Sequence, residues 1–226
     1  MIAVTREGYR ADLDDLRADV RALGDDALAQ LDDGLTALAT GDDDLAEDVI
    51  DGDAAINDRY LALEGDCVDL LALQQPVASD LRFVAASFKI LTDLERVADL
   101  ATNLGRYALS AERPADEVDV RAIGDDAREQ VAAALDAYEA GDAEACRAVA
   151  ARDDELDAHC QRASERVVRD LLEGEAGEDS WAVERVLDDV SRLLLTIRDL
   201  ERVGDHGVNV AARTLYMLES DPELLY

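Results

Sequence analysis

The chain has 226 residues, of which 49% are hydrophobic, and carries 54 acidic against 22 basic side chains, a formal net charge of −32. Such a charge repels the phosphates of nucleic acids and anionic lipids, which argues against either as a partner. No apolar run approaches the ~20 residues of a membrane-spanning helix, and the N-terminus lacks the apolar stretch of a signal peptide, so we expect a cytoplasmic protein.

The acidic residues are interleaved with regularly spaced apolar positions, a pattern that disordered acidic segments lack. We therefore expect a folded protein with a carboxylate-covered surface, suited to concentrated salt, where the screening length falls to ~3 Å and self-repulsion is weak. This interpretation predicts a halophilic source. The three cysteines, Cys67, Cys146 and Cys160, have no CxxC spacing, and we expect reduced, small core residues.

Helical periodicity and punctuation predict six helices. Gly41 and the aspartates after it end the first helix and cap the second, and Pro76 breaks the second helix and begins the third. The segment SAERPADEV (110–118) is typical of a linker, and EGEAGED (173–179) is a later turn. The helices are expected at about 5–39, 45–73, 77–109, 119–139, 144–172 and 180–218.

The second half of the chain repeats the first. The Gly–Asp pair at 41–42 returns 100 residues later, and the pentapeptide DLERV at 93–97 returns 106 residues later. A chance pentapeptide match would not bring a matching turn with it, so the pattern indicates internal duplication. We predict an all-α fold of two tandem three-helix bundles related by a pseudo-twofold axis, with residues 1–111 in the first bundle and 112–226 in the second.

Each copy of DLERV contributes to a polar stripe, because residues four apart lie one above the other on a helix. In so acidic a chain a single acidic pair is usually solvated surface. Repetition of the pair in both halves favours instead two antiparallel helices that surround a hard cation with oxygen ligands. We expect these stripes to face away from the core. They consist of Glu95, Asp99 and Asn103 in the third helix and Glu201, Asp205 and Asn209 in the sixth, with the pairs Asp53/Asn57 and Asp153/Asp157 on the second and fifth helices.

The residues next to the stripes bear on which chemistry is possible there. Arg96 and Arg202 can each reach an aspartate three residues before and three after, either to hold the carboxylates in place or as ordinary surface ion pairs. A ferritin-like di-iron site needs Glu-x-x-His pairs, and neither His159 nor His206 has a glutamate three residues before it. We expect His206 to be an exposed or edge histidine rather than a ligand. The sequence lacks a Gly-rich phosphate loop and a nucleophile elbow, and we predict that the protein is not an enzyme.

The segments LALQQPVASDLRFVAASFKILTDLERVADLATN (71–103) and DLERVGDHGVN (199–209) resemble the PhoU family of phosphate-uptake regulators. The resemblance covers essentially the whole chain in two repeats and implies two three-helix bundles. It also implies a membrane-peripheral negative regulator of high-affinity phosphate uptake and of the phosphate-starvation response. Its expected partners are the PstB-like ATPase of the phosphate ABC transporter and, as a lesser candidate in a halophilic archaeon, a PhoR-like kinase. We also expect a homodimer.

The resemblance further implies metal binding, because family members bind metal clusters through E/D-x-x-x-D motifs. The metal would be iron, manganese, zinc or magnesium. An accessory protein of another phosphate or ion transporter is the alternative function, whereas a metal-storage or redox protein is disfavoured by the missing Glu-x-x-His pairs. The motif falls on Glu95/Asp99, Glu201/Asp205 and Asp153/Asp157, while Asp53/Asn57 departs from it by an amide in place of the second carboxylate.

Overall fold

The computed structural model describes residues 6–74, 76–111, 120–173, 180–220 and 223–224. Within them the chain is helical and has no strand, and none of these helices is long and apolar enough to cross a membrane. All six predicted helices are confirmed, with ends within two residues of the prediction. The predicted linker and the predicted turn after the fifth helix lie mostly outside the described residues. The helices are α1 (Arg6–Thr40), α2 (Asp43–Gln74), α3 (Ala78–Leu109), α4 (Val120–Ala140), α5 (Ala143–Glu173) and α6 (Ser180–Glu219).

Two equivalent Gly–Asp turns begin the second helix of each repeat. Gly41 and Gly141 have φ values of 68° and 66°, in the left-handed region that glycine adopts without steric cost. The side chains of Asp42 and Asp142 accept hydrogen bonds from backbone N–H groups of the following helix at 3.0–3.1 Å. Each pair therefore ends one helix and caps the next, as the sequence predicted.

The third helix of each repeat is central. Helix α3 packs against α1 and α2, α6 packs in the same way against α4 and α5, and α3 and α6 also pack against each other. Helix α1 contacts α4 across the same junction. The two predicted three-helix bundles are thus joined along two helix pairs, and their buried residues form one continuous hydrophobic core.

A reciprocal contact between α1 and α4 displays the pseudo-twofold relation. A Cβ atom built on Gly24 would lie 2.5 Å from Leu135 Cδ1, and one built on Gly124 would overlap Leu35 Cδ2. Gly24 and Gly124 are equivalent in the repeat, as are Leu35 and Leu135, so the two halves exchange the same contact. Because an added Cβ would push the leucine side chain aside, glycine at both positions permits the close approach of α1 and α4.

The cysteines are buried and free, as predicted. Burial is the main cause that raises the thiol pKa to about 12 in Cys67, about 11 in Cys146 and about 12 in Cys160. Since the thiolate is the reactive form, these side chains act as small apolar core residues.

Candidate functional site

Glu95 of the α3 stripe faces α2 across what we call the first groove, formed by Asp53, Asn57, Glu95 and Asp99, whereas Asn103 of the same stripe contacts α6. The α6 stripe residues Glu201, Asp205 and Asn209 are exposed, as predicted, but the Glu95 side chain is only 16% exposed. The pKa of the Glu95 carboxyl is raised mainly by burial, then by the charge of Asp99, and to a smaller degree by the charge of Asp53. Asn57 Nδ2 donates to Asp53 Oδ2 at 2.9 Å. The four predicted residues are therefore brought together along one groove.

The second groove is the equivalent surface between α5 and α6, formed by Asp153, Asp157, Glu201 and Asp205. The pKa values of Asp157, Glu201 and Asp205 are raised, in each case first by burial and then by other carboxylates of the groove. Gln130 Nε2 donates to Asp153 Oδ1 at 2.7 Å. Within the described ranges, none of the four carboxylates forms an ion pair. The second groove therefore concentrates negative charge that the protein does not neutralise by direct contact.

The arginines of the two DLERV copies behave differently. Arg96 lies 2.9 Å from Asp99, three residues after it, and 3.4 Å from the preceding glutamate. Arg202 turns the other way, and its Nη1 lies 3.5 Å from Asp199, three residues before it. The prediction that each arginine can brace a neighbouring aspartate is confirmed on one side only. As a result the first groove contains an ion-paired arginine and the second does not.

The donor chemistry of both grooves fits a hard cation, because all the side chains offer carboxylate or amide oxygens. Carboxylates whose pKa is raised by other carboxylates also gain most from a cation placed among them. The side chains do not yet converge on one point: in the part of the chain that the structure describes, no group of three or more His, Cys, Asp or Glu residues is placed to hold an ion. Cation binding therefore requires side chains of the groove to rotate toward each other.

Asp93, the first aspartate of the first DLERV copy, has a buried role that the sequence did not predict. The Asp93 side chain is 6% exposed at the contact between α3 and α6. It accepts a hydrogen bond from Arg213 Nε at 2.6 Å, and His206 Nδ1 lies 3.0 Å from its other oxygen. The His206 side chain is 16% exposed, so it is a partly buried histidine at the edge of the contact between α3 and α6 rather than a fully exposed one. A buried carboxylate with two partners links the two bundles.

Asp199 is the equivalent residue of the second copy and is 7% exposed. It accepts hydrogen bonds from Tyr107 at 2.9 Å and from Asn103 at 3.2 Å, so both bonds again cross from one central helix to the other. Tyr107 and Arg213 occupy equivalent positions in the repeat. The sequence did contain a signal for the burial of Asp93. It follows the apolar residue Ile90 by three positions and so lies on the buried face of its helix.

Comparisons with known proteins agree with this architecture. A family model described as the PhoU domain matches residues 20–108 and again residues 120–214. A phosphate-specific transport system accessory protein PhoU homolog of Pseudomonas putida is 35% identical, over 93% of this chain and 80% of the relative. The crystal structure of PhoU from Pseudomonas aeruginosa matches 94% of this chain and 100% of its own, with a TM-score of 0.83 and 34% identity. The phosphate transport system regulatory protein PhoU from Streptococcus pneumoniae matches 94% and 98%, with a TM-score of 0.83 and 27% identity.

Proposed function

This chain belongs to the PhoU family, and from that membership we propose that it is an accessory protein of a phosphate-specific transport system. It acts in the cytoplasm and restrains high-affinity phosphate uptake when phosphate is plentiful. The observation that carries the proposal is the match of 93% of the chain to a relative of that name, together with the likeness to a phosphate transport regulatory protein over 94% of the chain.

The proposed mode of action is contact with the ATPase subunit of the phosphate ABC transporter, which would place the protein at the membrane surface. The net charge of −32 supports a partner surface that carries basic residues. In concentrated salt such attraction extends only ~3 Å, so specificity comes from close contacts. A homodimer and a PhoR-like kinase as second partner stay predictions.

We assign cation binding to the two grooves as part of this function. Asp153, Asp157, Glu201 and Asp205 would hold iron, manganese, zinc or magnesium in the second groove, and the first groove would bind more weakly because an amide and an ion-paired arginine reduce its negative charge. A bound cation neutralises the groove and ties the middle helix of the repeat to the central one. The mutually raised carboxyl pKa values support this assignment.

The test replaces Glu95, Asp99, Glu201 and Asp205 by alanine. Because the four side chains line grooves rather than the apolar core, the helices should remain intact. We expect phosphate uptake by cells grown with ample phosphate to rise toward the level of a deletion strain. A matched control removes four exposed aspartates elsewhere and should leave uptake unchanged: Asp14, Asp33, Asp48 and Asp188.

Two outcomes would contradict the proposal. If a deletion strain takes up phosphate normally but mishandles another ion, the chain serves a different transporter. If deletion changes phosphate uptake but the folded quadruple variant does not, the regulatory function stands and the grooves are not part of it.

A further inference from the structure

An arginine-rich cavity of about 220 Å³ lies at the contact between α3 and α6, beside the first groove, with which it shares Arg96 and Asp99. Basic residues are scarce in this chain, 22 in 226, yet half of the residues around the cavity are arginines. The proposed function gives Arg106 and Arg202 no role and uses Arg96 only as a charge that weakens the first groove. The cavity is lined by Arg96, Asp99, Leu100, Asn103, Arg106 and Arg202.

The two arginines of α3 lean toward each other. Arg96 reaches forward along the helix to Asp99, and Arg106 reaches backward to Asn103, each with a hydrogen bond of 2.9 Å. Their anchoring partners are four residues apart, a rise of ~6 Å on an α-helix. The guanidinium groups are therefore drawn to within about one helical turn, although their Cα atoms are separated by ~15 Å. Arg202 adds a third guanidinium from the other central helix.

These guanidinium groups keep donors to spare. The partner of Arg106 is an amide oxygen, and within the described part of the chain it forms no ion pair. Arg202 has one carboxylate partner, at 3.5 Å, and its side chain is 45% exposed. Arg96 is 52% exposed. A guanidinium carries five N–H donors, so each of the three can serve another acceptor without giving up its present contact.

We propose that this cavity binds a tetrahedral oxyanion, the class that includes inorganic phosphate, sulfate and phosphate monoesters. Guanidinium groups bind such anions through paired N–H donors, and here the donors come from two helices rather than one plane. Asp99 is the one carboxylate among the lining residues, and Glu95 and Asp199 pair with Arg96 and Arg202 from beside the cavity, so the cavity offers many N–H donors within a strongly acidic protein. The bound anion would join the two bundles at their central helices.

The proposal does not depend on the role in phosphate transport, because it concerns binding alone. The probe is inorganic phosphate, titrated into the full chain by isothermal titration calorimetry in molar KCl, where long-range repulsion by the acidic surface is screened. We expect saturable binding that sulfate displaces. Arg106→Gln should weaken it at least about tenfold, since one charge-assisted contact is lost. The matched control Arg152→Gln changes an exposed arginine of α5 and should bind as the wild type does.

A second experiment distinguishes a free anion from the headgroup of a lipid. Sedimentation with vesicles of phosphatidic acid in phosphatidylcholine tests whether the cavity binds a lipid headgroup. If it does, Arg106→Gln should abolish sedimentation with the vesicles. Circular dichroism checks that both variants keep the wild-type helix content. Binding of neither phosphate, sulfate nor the vesicles, or equal binding by the Arg106→Gln variant, would overturn the proposal.

Discussion

Both repeats contain the pentapeptide DLERV, but its charged residues have different ionic partners in the two. In the first groove Arg96 contacts both acids of α3, and Asn57 replaces a carboxylate on α2. Four carboxylates line the second groove, and three of them have raised pKa values. Duplication has thus preserved backbone geometry while the charge balance diverged. A motif match locates a groove, but its neighbours decide what the groove can bind.

The same divergence occurs at the contact between the central helices. Asp93 is held by Arg213 and His206, whereas Asp199 is held by a tyrosine hydroxyl and an amide, with Arg202 at longer range. One junction is ionic and the other mostly neutral, although the two acceptors are equivalent.

The largest expected effect tests this junction. Asp93→Ala leaves Arg213 without its buried counter-ion, and we expect it to lower the free energy of unfolding by about 3 kcal/mol. Asp199→Ala leaves two neutral donors without a partner, and the more distant Arg202 is exposed enough to be solvated, so the loss should be about 1–2 kcal/mol. Chemical denaturation in molar salt measures both. Equal losses would mean that the ionic partners of Asp93 add nothing over neutral ones.

The next largest effect is expected from cation binding, which should differ between the two grooves. At a cation concentration 100 times its dissociation constant, binding stabilises the fold by about 2.7 kcal/mol. We expect Mn²⁺ to raise the melting temperature of the wild type, and a chelator to reverse the increase. Glu201→Gln with Asp205→Asn should abolish most of the shift.

The matched variant for that experiment is Glu95→Gln with Asp99→Asn in the first groove, which should retain most of the shift. A larger loss from the first-groove variant than from the second would reverse the proposed ranking.

Where the repeats are alike, their variants should behave alike. Gly24→Ala and Gly124→Ala each drive a Cβ into a leucine side chain of the opposite bundle, and because that side chain can partly yield, we expect each to cost about 1–2 kcal/mol. Thermal unfolding of both variants measures the pair. Leu135→Ala in the Gly24→Ala background should recover part of the first loss, and failure to do so would mean that the strain lies elsewhere.

The smallest effect is the pH dependence of the cation-free protein. Raised carboxyl pKa values mean that the folded state binds protons more tightly than the unfolded state, so stability falls as pH rises through them. The window lies just above the ordinary values of 3.8 for Asp and 4.5 for Glu. Within it, Glu201→Gln with Asp205→Asn should flatten the profile more than Glu95→Gln, because more of the raised groups belong to the second groove. Unfolding midpoints collected with a chelator from pH 7 downward test the difference.

Sequence periodicity was sufficient for the helices, because each has an apolar face and glycine, aspartate or proline at its ends. Periodicity also indicated where the grooves lie, since side chains four residues apart lie one above the other on the same helix. It did not predict the buried roles of Asp93 and Asp199, which entered only as aspartates within reach of Arg96 and Arg202. Their partners, Arg213 and Tyr107, lie 120 and 92 residues away. Only the packing of α3 against α6 brings such groups together, and no local pattern encodes it.

The exchanged glycine–leucine contact makes the junction between the two halves isologous in form. A contact that maps onto itself when the halves are interchanged is what a homodimer of a single repeat would make. In a true homodimer every substitution appears twice, so residues at equivalent positions could not differ. A single covalent chain is free of that constraint: Tyr107 and Arg213 differ at equivalent positions, and so do the residues of the two grooves.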